Sequence, residues 1–178
     1  MTELIDEALP LDTSWNEPVR NIPEGGLERT RSLTPGETAA LIAELELLGI
    51  PAFEASYRIR ASAQGRYLLK GRIKAIVEQA CVVSLKPVRS EIMQDLDIAF
   101  WPADDITSPE GGAIDIEDET DPEPIEDGVL PVARVVFETF AAAIDPFPRA
   151  PDASLDWTPP ADADAKVSPF AALAKLKK

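Results

Sequence analysis

Three neighbouring stretches of this chain alternate apolar and polar residues with a period of two. From Phe53 to Ala61 the odd positions are Phe53, Ala55, Tyr57, Ile59 and Ala61, and the even ones are Glu54, Ser56, Arg58 and Arg60. From Tyr67 to Val77 the odd positions Tyr67, Leu69, Ile73, Ala75 and Val77 face away from Lys70, Arg72 and Lys74. From Val88 to Phe100 the even positions Val88, Ile92, Leu96, Ile98 and Phe100 oppose Arg89, Glu91, Asp95 and Asp97. Side chains of a strand point to opposite faces in turn, so this period dictates a sheet with one dry and one wet face. Ala63-Gln64-Gly65 and Ser84-Leu85-Lys86-Pro87 are short turns, which makes the three strands an antiparallel meander. Gly71, inside the second run, marks a bulge or a close approach of backbone.

Two helices are expected to cover the dry face. Thr34-Pro35-Gly36-Glu37 reads as a capping box with proline at the first helical position. Leu41, Ile42, Leu45 and Leu48 then form one apolar stripe, so a helix is predicted over 34–48, with Gly49 as its stop and Pro51 beyond. A second helix is predicted over 131–144, packing through Val132, Val135, Val136, Ala143 and Ile144 and ending at Asp145-Pro146. Residues 1–33 read as irregular, with a turn at Gly25-Gly26. Residues 101–124 read as a mobile acidic loop, followed by an extended piece at Glu123-Pro124-Ile125 and the Asp127-Gly128 turn. Residues 147–167 read as disordered, and Ser168–Lys178 as a short helix that forms only when docked. The expected fold class is α+β: an antiparallel β-meander with two main helices on one face. It occupies residues 22–146, between a flexible N-terminus (1–21) and a proline-rich tail (147–178).

Chemistry is constrained by what is missing. The chain has no histidine and one cysteine among 178 residues. Serine and cysteine hydrolase arrangements normally require a histidine base, and zinc sites draw on several Cys and His. No phosphate-binding glycine loop is present. Asp104, Asp105, Asp115, Glu117, Asp118, Glu119 and Asp121 lack the spacing and glycine of a calcium loop and read as a solvated acidic segment. No catalytic residue, metal or cofactor is therefore expected. Cys81 reads as a small buried apolar residue at the end of the second strand, the alternative being a reactive thiol with Lys86 as activator. The N-terminus lacks a secretory signal and no apolar run is long enough to span a bilayer, so a cytoplasmic protein without membrane contact is expected.

Charge is unevenly distributed. The net charge is −15, which disfavours DNA or RNA binding by the whole surface. Yet Arg58–Arg89 carries eight basic residues and one acid, whereas Ser90–Ala133 carries fourteen acids and no base. Arg58, Arg60, Lys70, Arg72 and Lys74 fall on the polar side of two adjacent strands. They either contact phosphates or pair across the sheet with Glu54, Glu78, Glu91, Asp95 and Asp97. Phe170, Leu173 and Leu176 lie near one side of the terminal segment. They either dock on their own domain or present a motif to a partner.

Four segments together resemble the YceD family of large ribosomal RNA subunit accumulation proteins, in an alphaproteobacterial-type variant. They are Ile22–Leu27 before the capped helix, Glu78–Val88 at the second turn, Pro122–Gly128 before the second helix, and Ser168–Lys177, which is similar to the family's Asn-Pro-Phe-Ala-x-Leu-x-x-Leu-Lys ending. The resemblance implies a non-enzymatic role in 23S rRNA accumulation and large-subunit biogenesis, through rRNA or a ribosome-assembly protein. Many relatives carry Cys-x-x-Cys at the turn. Here Cys81 is followed by Ser84 and then Pro87, so if those relatives bind a metal, this chain is expected not to. The competing expectation is a protein–protein adaptor without RNA contact, using the acidic loop and the Phe170 motif. The residues do not specify an oligomeric state.

Overall fold

The computed structural model describes residues 10–106 and 122–154. Seven strands, β1 (Glu17–Pro18), β2 (Leu27–Arg31), β3 (Gly49–Ala61), β4 (Tyr67–Ala80), β5 (Pro87–Pro102), β6 (Glu123–Ile125) and β7 (Val129–Leu130), accompany two helices, α1 (Pro35–Glu44) and α2 (Val132–Ala143). Five strands form one sheet in the order β2-β3-β4-β5-β6, and β1 pairs with β7. All pairings are antiparallel except β5 with β6, which run parallel. The architecture is the expected α+β arrangement, with the meander β3-β4-β5 at its centre.

The core lies where the alternation puts it. Phe53, Ala55, Tyr57 and Ile59 of β3, Leu69, Ile73, Ala75 and Val77 of β4, and Ile92, Leu96 and Phe100 of β5 are buried. Helix α2 covers them with Val132, Ala133, Val135, Val136 and Phe140. Phe140 meets Phe53 edge to face at 5.1 Å, a favoured aromatic geometry. Gly71 is a close approach rather than a bulge. A β-carbon there would overlap the Ser56 carbonyl oxygen and lie 2.6 Å from Tyr57 Cα, so only glycine lets β3 and β4 pair at this point.

Helix α1 begins as expected. The Glu37 amide donates to Thr34 Oγ1 at 3.3 Å, and the Thr34 amide donates to Glu37 Oε2 at 2.8 Å. Its end differs from expectation. The helix stops at Glu44, with Glu46 in the left-handed region (φ 51°) and the Leu47 amide donating to the Ile42 carbonyl. That six-to-one bond is a Schellman motif, which ordinarily recruits glycine. Glu46 fills the role, Gly49 instead opens β3, and Leu48 leaves the helical stripe for the surface.

The N-terminal segment corrects a second expectation. Residues 1–33 read as irregular and 1–21 as flexible, yet among the described residues Leu11 and Trp15 are core residues and β2 pairs with β3 from Leu27 to Arg31. Of the inward positions of β2, Leu27 is buried but Arg29 and Arg31 are charged, which hides its strand character. Both are held by Glu17, only 3% exposed, at 2.9 and 3.3 Å. Trp15 Nε1 donates to Glu37 Oε1 at 2.6 Å, and the Asp12 amide donates to the same oxygen. Asn16 Oδ1 accepts from the Ala133 amide at 3.0 Å, capping α2 from 117 residues away. This segment is thus tied to both helices and to the sheet. The boundary expected at residue 22 falls inside packed structure. Likewise, residues 147–167 read as disordered, yet within the described part, 147–154, Pro148 is buried and its carbonyl accepts from the Val82 amide at 2.9 Å. Among the described residues no helix is long and apolar enough to cross a membrane.

Candidate functional site: the wet sheet face and the Cys81 turn

The five basic residues singled out from sequence do share the outer face of β3 and β4. The register aligns Arg58 with Lys70, Ser56 with Arg72 and Glu54 with Lys74. Like charges stand side by side only where Arg58 faces Lys70, and the flanking strands compensate that pair. Glu28 of β2 lies 3.2 Å from Arg58, and Asp97 of β5 lies 2.9 Å from Lys70. One row of the sheet thus reads Glu28, Arg58, Lys70, Asp97. In the next row Arg72 meets Asp95 at 2.6 Å. The hydrogen bond between them lowers the Asp95 carboxyl and raises the Arg72 guanidinium from their ordinary values. Arg58 also donates to the Gly25 carbonyl at 3.0 Å. Among the described residues Arg60 and Lys74 have no carboxylate within 4.0 Å.

Of the cross-strand partners expected for this band, Asp95 and Asp97 make pairs, whereas Glu54, Glu78 and Glu91 do not. Glu28 is a further partner that the sequence does not reveal, because β2 carries no strand signal. Over β2–β5 the outer face presents Arg58, Arg60, Lys70, Arg72, Lys74 and Arg89 against Glu28, Glu54, Glu78, Glu91, Asp95 and Asp97. The basic band of the sequence becomes a charge-balanced surface once the strands are laid side by side.

The second surface is the turn from Cys81 to Lys86. The Cys81 amide donates to the Lys86 carbonyl, and the Leu85 amide donates to the Cys81 carbonyl. Leu85 takes a left-handed conformation, φ 58°. Pro87 begins β5 opposite Ala80. Cys81 is fully buried, as expected for a core residue, but it does more than fill space. Its Sγ accepts from the amides of Val83 and Ser84, each at 3.4 Å, and from the Ala150 amide at 3.3 Å. The Ala150 amide, then the Ser84 hydroxyl and amide, outweigh burial and bring the thiol down to about 6. Lys86, the activator expected from sequence, points instead to Asp152 at 3.1 Å.

One sulfur ringed by backbone donors does not furnish a metal site. Among the described residues no cluster of three or more His, Cys, Asp or Glu side chains is placed to hold an ion. Phe170, Leu173 and Leu176 lie outside the described residues.

Comparison with known proteins sets these two surfaces in context. Neither the curated proteins nor the solved structures offer a match. A family model does: that of the large ribosomal RNA subunit accumulation protein YceD, over residues 69–177. That stretch runs from β4 through the Cys81 turn and α2 to the terminal apolar segment. It covers more than half of the chain, and the protein belongs to the YceD family.

Proposed function

We propose that this protein is a non-enzymatic accessory factor in large-subunit rRNA accumulation that works by binding a protein component of the assembling subunit. Family membership supports the ribosomal context. The observation that carries the binding mode is the compensated wet face, where Arg58, Lys70 and Arg72 already hold carboxylates. Phosphate binding gains its free energy when free cationic side chains displace the counterions condensed on the nucleic acid, and a face whose cations already hold carboxylates forgoes much of that gain. A balanced face instead suits a protein surface of alternating charge, where electrostatic complementarity sets register and partner choice. The proposed compartment is the cytoplasm.

A second reading, direct contact with rRNA, is favoured by Arg60 and Lys74, which have no carboxylate partner among the described residues. Tagged protein purified at low salt, with and without nuclease, separates the two. Association with ribosomal precursors that survives nuclease supports the protein partner. Association lost with nuclease, and weakened by charge reversal at Arg60 and Lys74, supports RNA. Absence from precursor fractions, together with normal 23S rRNA after gene deletion, overturns both in favour of an unrelated adaptor.

A further inference from the structure

Five large apolar residues are exposed among the described residues: Leu48, Val82, Leu85, Met93 and Phe147. Four of them gather at one end of the molecule. Leu85 is 77% exposed, Phe147 73%, Leu48 52% and Val82 49%. The Val82 amide donates to the Pro148 carbonyl, which sets Phe147 beside the turn. The Leu48 amide donates to the carbonyl of Glu78, two residues before the end of β4. The Cys81 sulfur, bound to amides from both the turn and Ala150, holds the two segments in fixed relation. A leucine at positive φ with most of its surface in water is an unfavourable choice where glycine or asparagine would serve a turn better. Gathered exposed apolar residues of this kind mark a contact surface.

We propose that the occupant is the chain's own terminal segment, Ser168–Lys178, docked within the same molecule through Phe170, Leu173 and Leu176. Three features favour it. The described chain runs out at Ser154 on this very surface, since Asp152 pairs with Lys86 of the turn at 3.1 Å. Thirteen residues, 155–167, then separate the surface from the segment. A flexible chain of that length spans about 20 Å, which places the segment at roughly millimolar effective concentration. Its composition is also complementary. Three apolar residues near one side match the apolar patch, and Lys175, Lys177 and Lys178 complement Glu46, two residues before Leu48, Glu78, whose carbonyl binds the Leu48 amide, and Asp145, two residues before Phe147. An eleven-residue segment needs such a dock to become helical at all.

The test uses the full chain with p-benzoylphenylalanine in place of Lys177, irradiated at low protein concentration and analysed by mass spectrometry of the monomer band. Expected are cross-links from the segment to peptides holding Leu48, Val82, Leu85 or Phe147. Leu85→Asp should abolish them, and Met93→Asp, which alters the exposed apolar residue outside the patch, should leave them intact. Circular dichroism confirms that both variants fold. Cross-links confined to a dimer band, directed elsewhere on the monomer, captured by another protein in cells, or equally reduced by both substitutions would each overturn intramolecular docking.

Discussion

Two sets of arginine–carboxylate pairs in this molecule have similar geometry and opposite surroundings. On the wet face Arg72 and Asp95 meet at 2.6 Å with side chains 49% and 70% exposed. Beneath β2, Arg29 and Glu17 meet at 2.9 Å with the glutamate side chain only 4% exposed. Water screens the first pair and can replace either partner when the other is lost. Glu17 has no such substitute. It answers two arginines that point inward from a strand, and β2 stays on the sheet because it does. Distance alone would rank the two pairs the other way round, so burial decides which is structural.

The largest effect is expected at Glu17. Glu17→Ala leaves Arg29 and Arg31 facing inward without a counter-charge and should cost about 2 to 4 kcal/mol. Glu17→Gln should cost less, because the amide oxygen still accepts from Arg29. Urea midpoints measure both, and a loss below about 1 kcal/mol for the alanine would erase the contrast with surface pairs. Next comes Glu37, which is buried and receives Thr34, Trp15 and Asp12. Burial pushes its carboxyl up, but the bonds from Thr34, Trp15 and Asp12 prevail and hold it below the ordinary 4.5. Its contribution is therefore complete above that pH and fades as pH falls through the depressed value. Glu37→Gln should cost about 1 to 2 kcal/mol at neutral pH, and the gap to the parent protein should close in acid.

Cys81 offers an intermediate case, a buried anion with amides for partners. Its thiol sits near 6 in the fold against an ordinary value of 9. The thiolate's contribution is thus full above pH 9, declines below it and is gone below about pH 6. The stability gap between the parent protein and Cys81→Ser should widen as pH rises from 6 to 9. A gap independent of pH would mean that the sulfur packs as a neutral group. The smallest effect is expected for Arg72 and Asp95. A double-mutant cycle to alanine should give a coupling smaller than the effect at any of the buried groups above, vanishing at about 1 M salt, where the Debye length is near 3 Å.

The same contrast explains what the sequence made legible. Strands β3, β4 and β5 announce themselves because their inward residues are apolar and nothing else competes for that face. Strand β2 does not, because Arg29 and Arg31 occupy inward positions that a distant glutamate makes tolerable. The start of α1 is local chemistry between Thr34 and Glu37. Its end depends on Glu46 accepting a left-handed conformation, for which composition carries no signal. On the wet face, strand parity was enough to anticipate Asp95 and Asp97 as partners, while Glu28 required knowing that β2 existed. At the turn, the burial of Cys81 followed from its neighbours. Its bond to Ala150 joins residues 69 apart and is visible only in three dimensions.

The parallel pairing of β6 with β5 bears on the acidic block between them. The register sets Glu123 beside Phe100 and Ile125 beside Pro102. From the end of β5 the chain must therefore retreat only about 7 Å along the strand direction and step about 5 Å sideways. Residues 103–122 supply twenty residues for that journey. Glu110, Asp115, Glu117, Asp118, Glu119 and Asp121 all lie in this connection. A large part of the protein's negative charge is thus carried on a connection longer than the separation of its two ends requires. Shortening or neutralising residues 107–121 is therefore expected to leave the register of β5 with β6 unchanged.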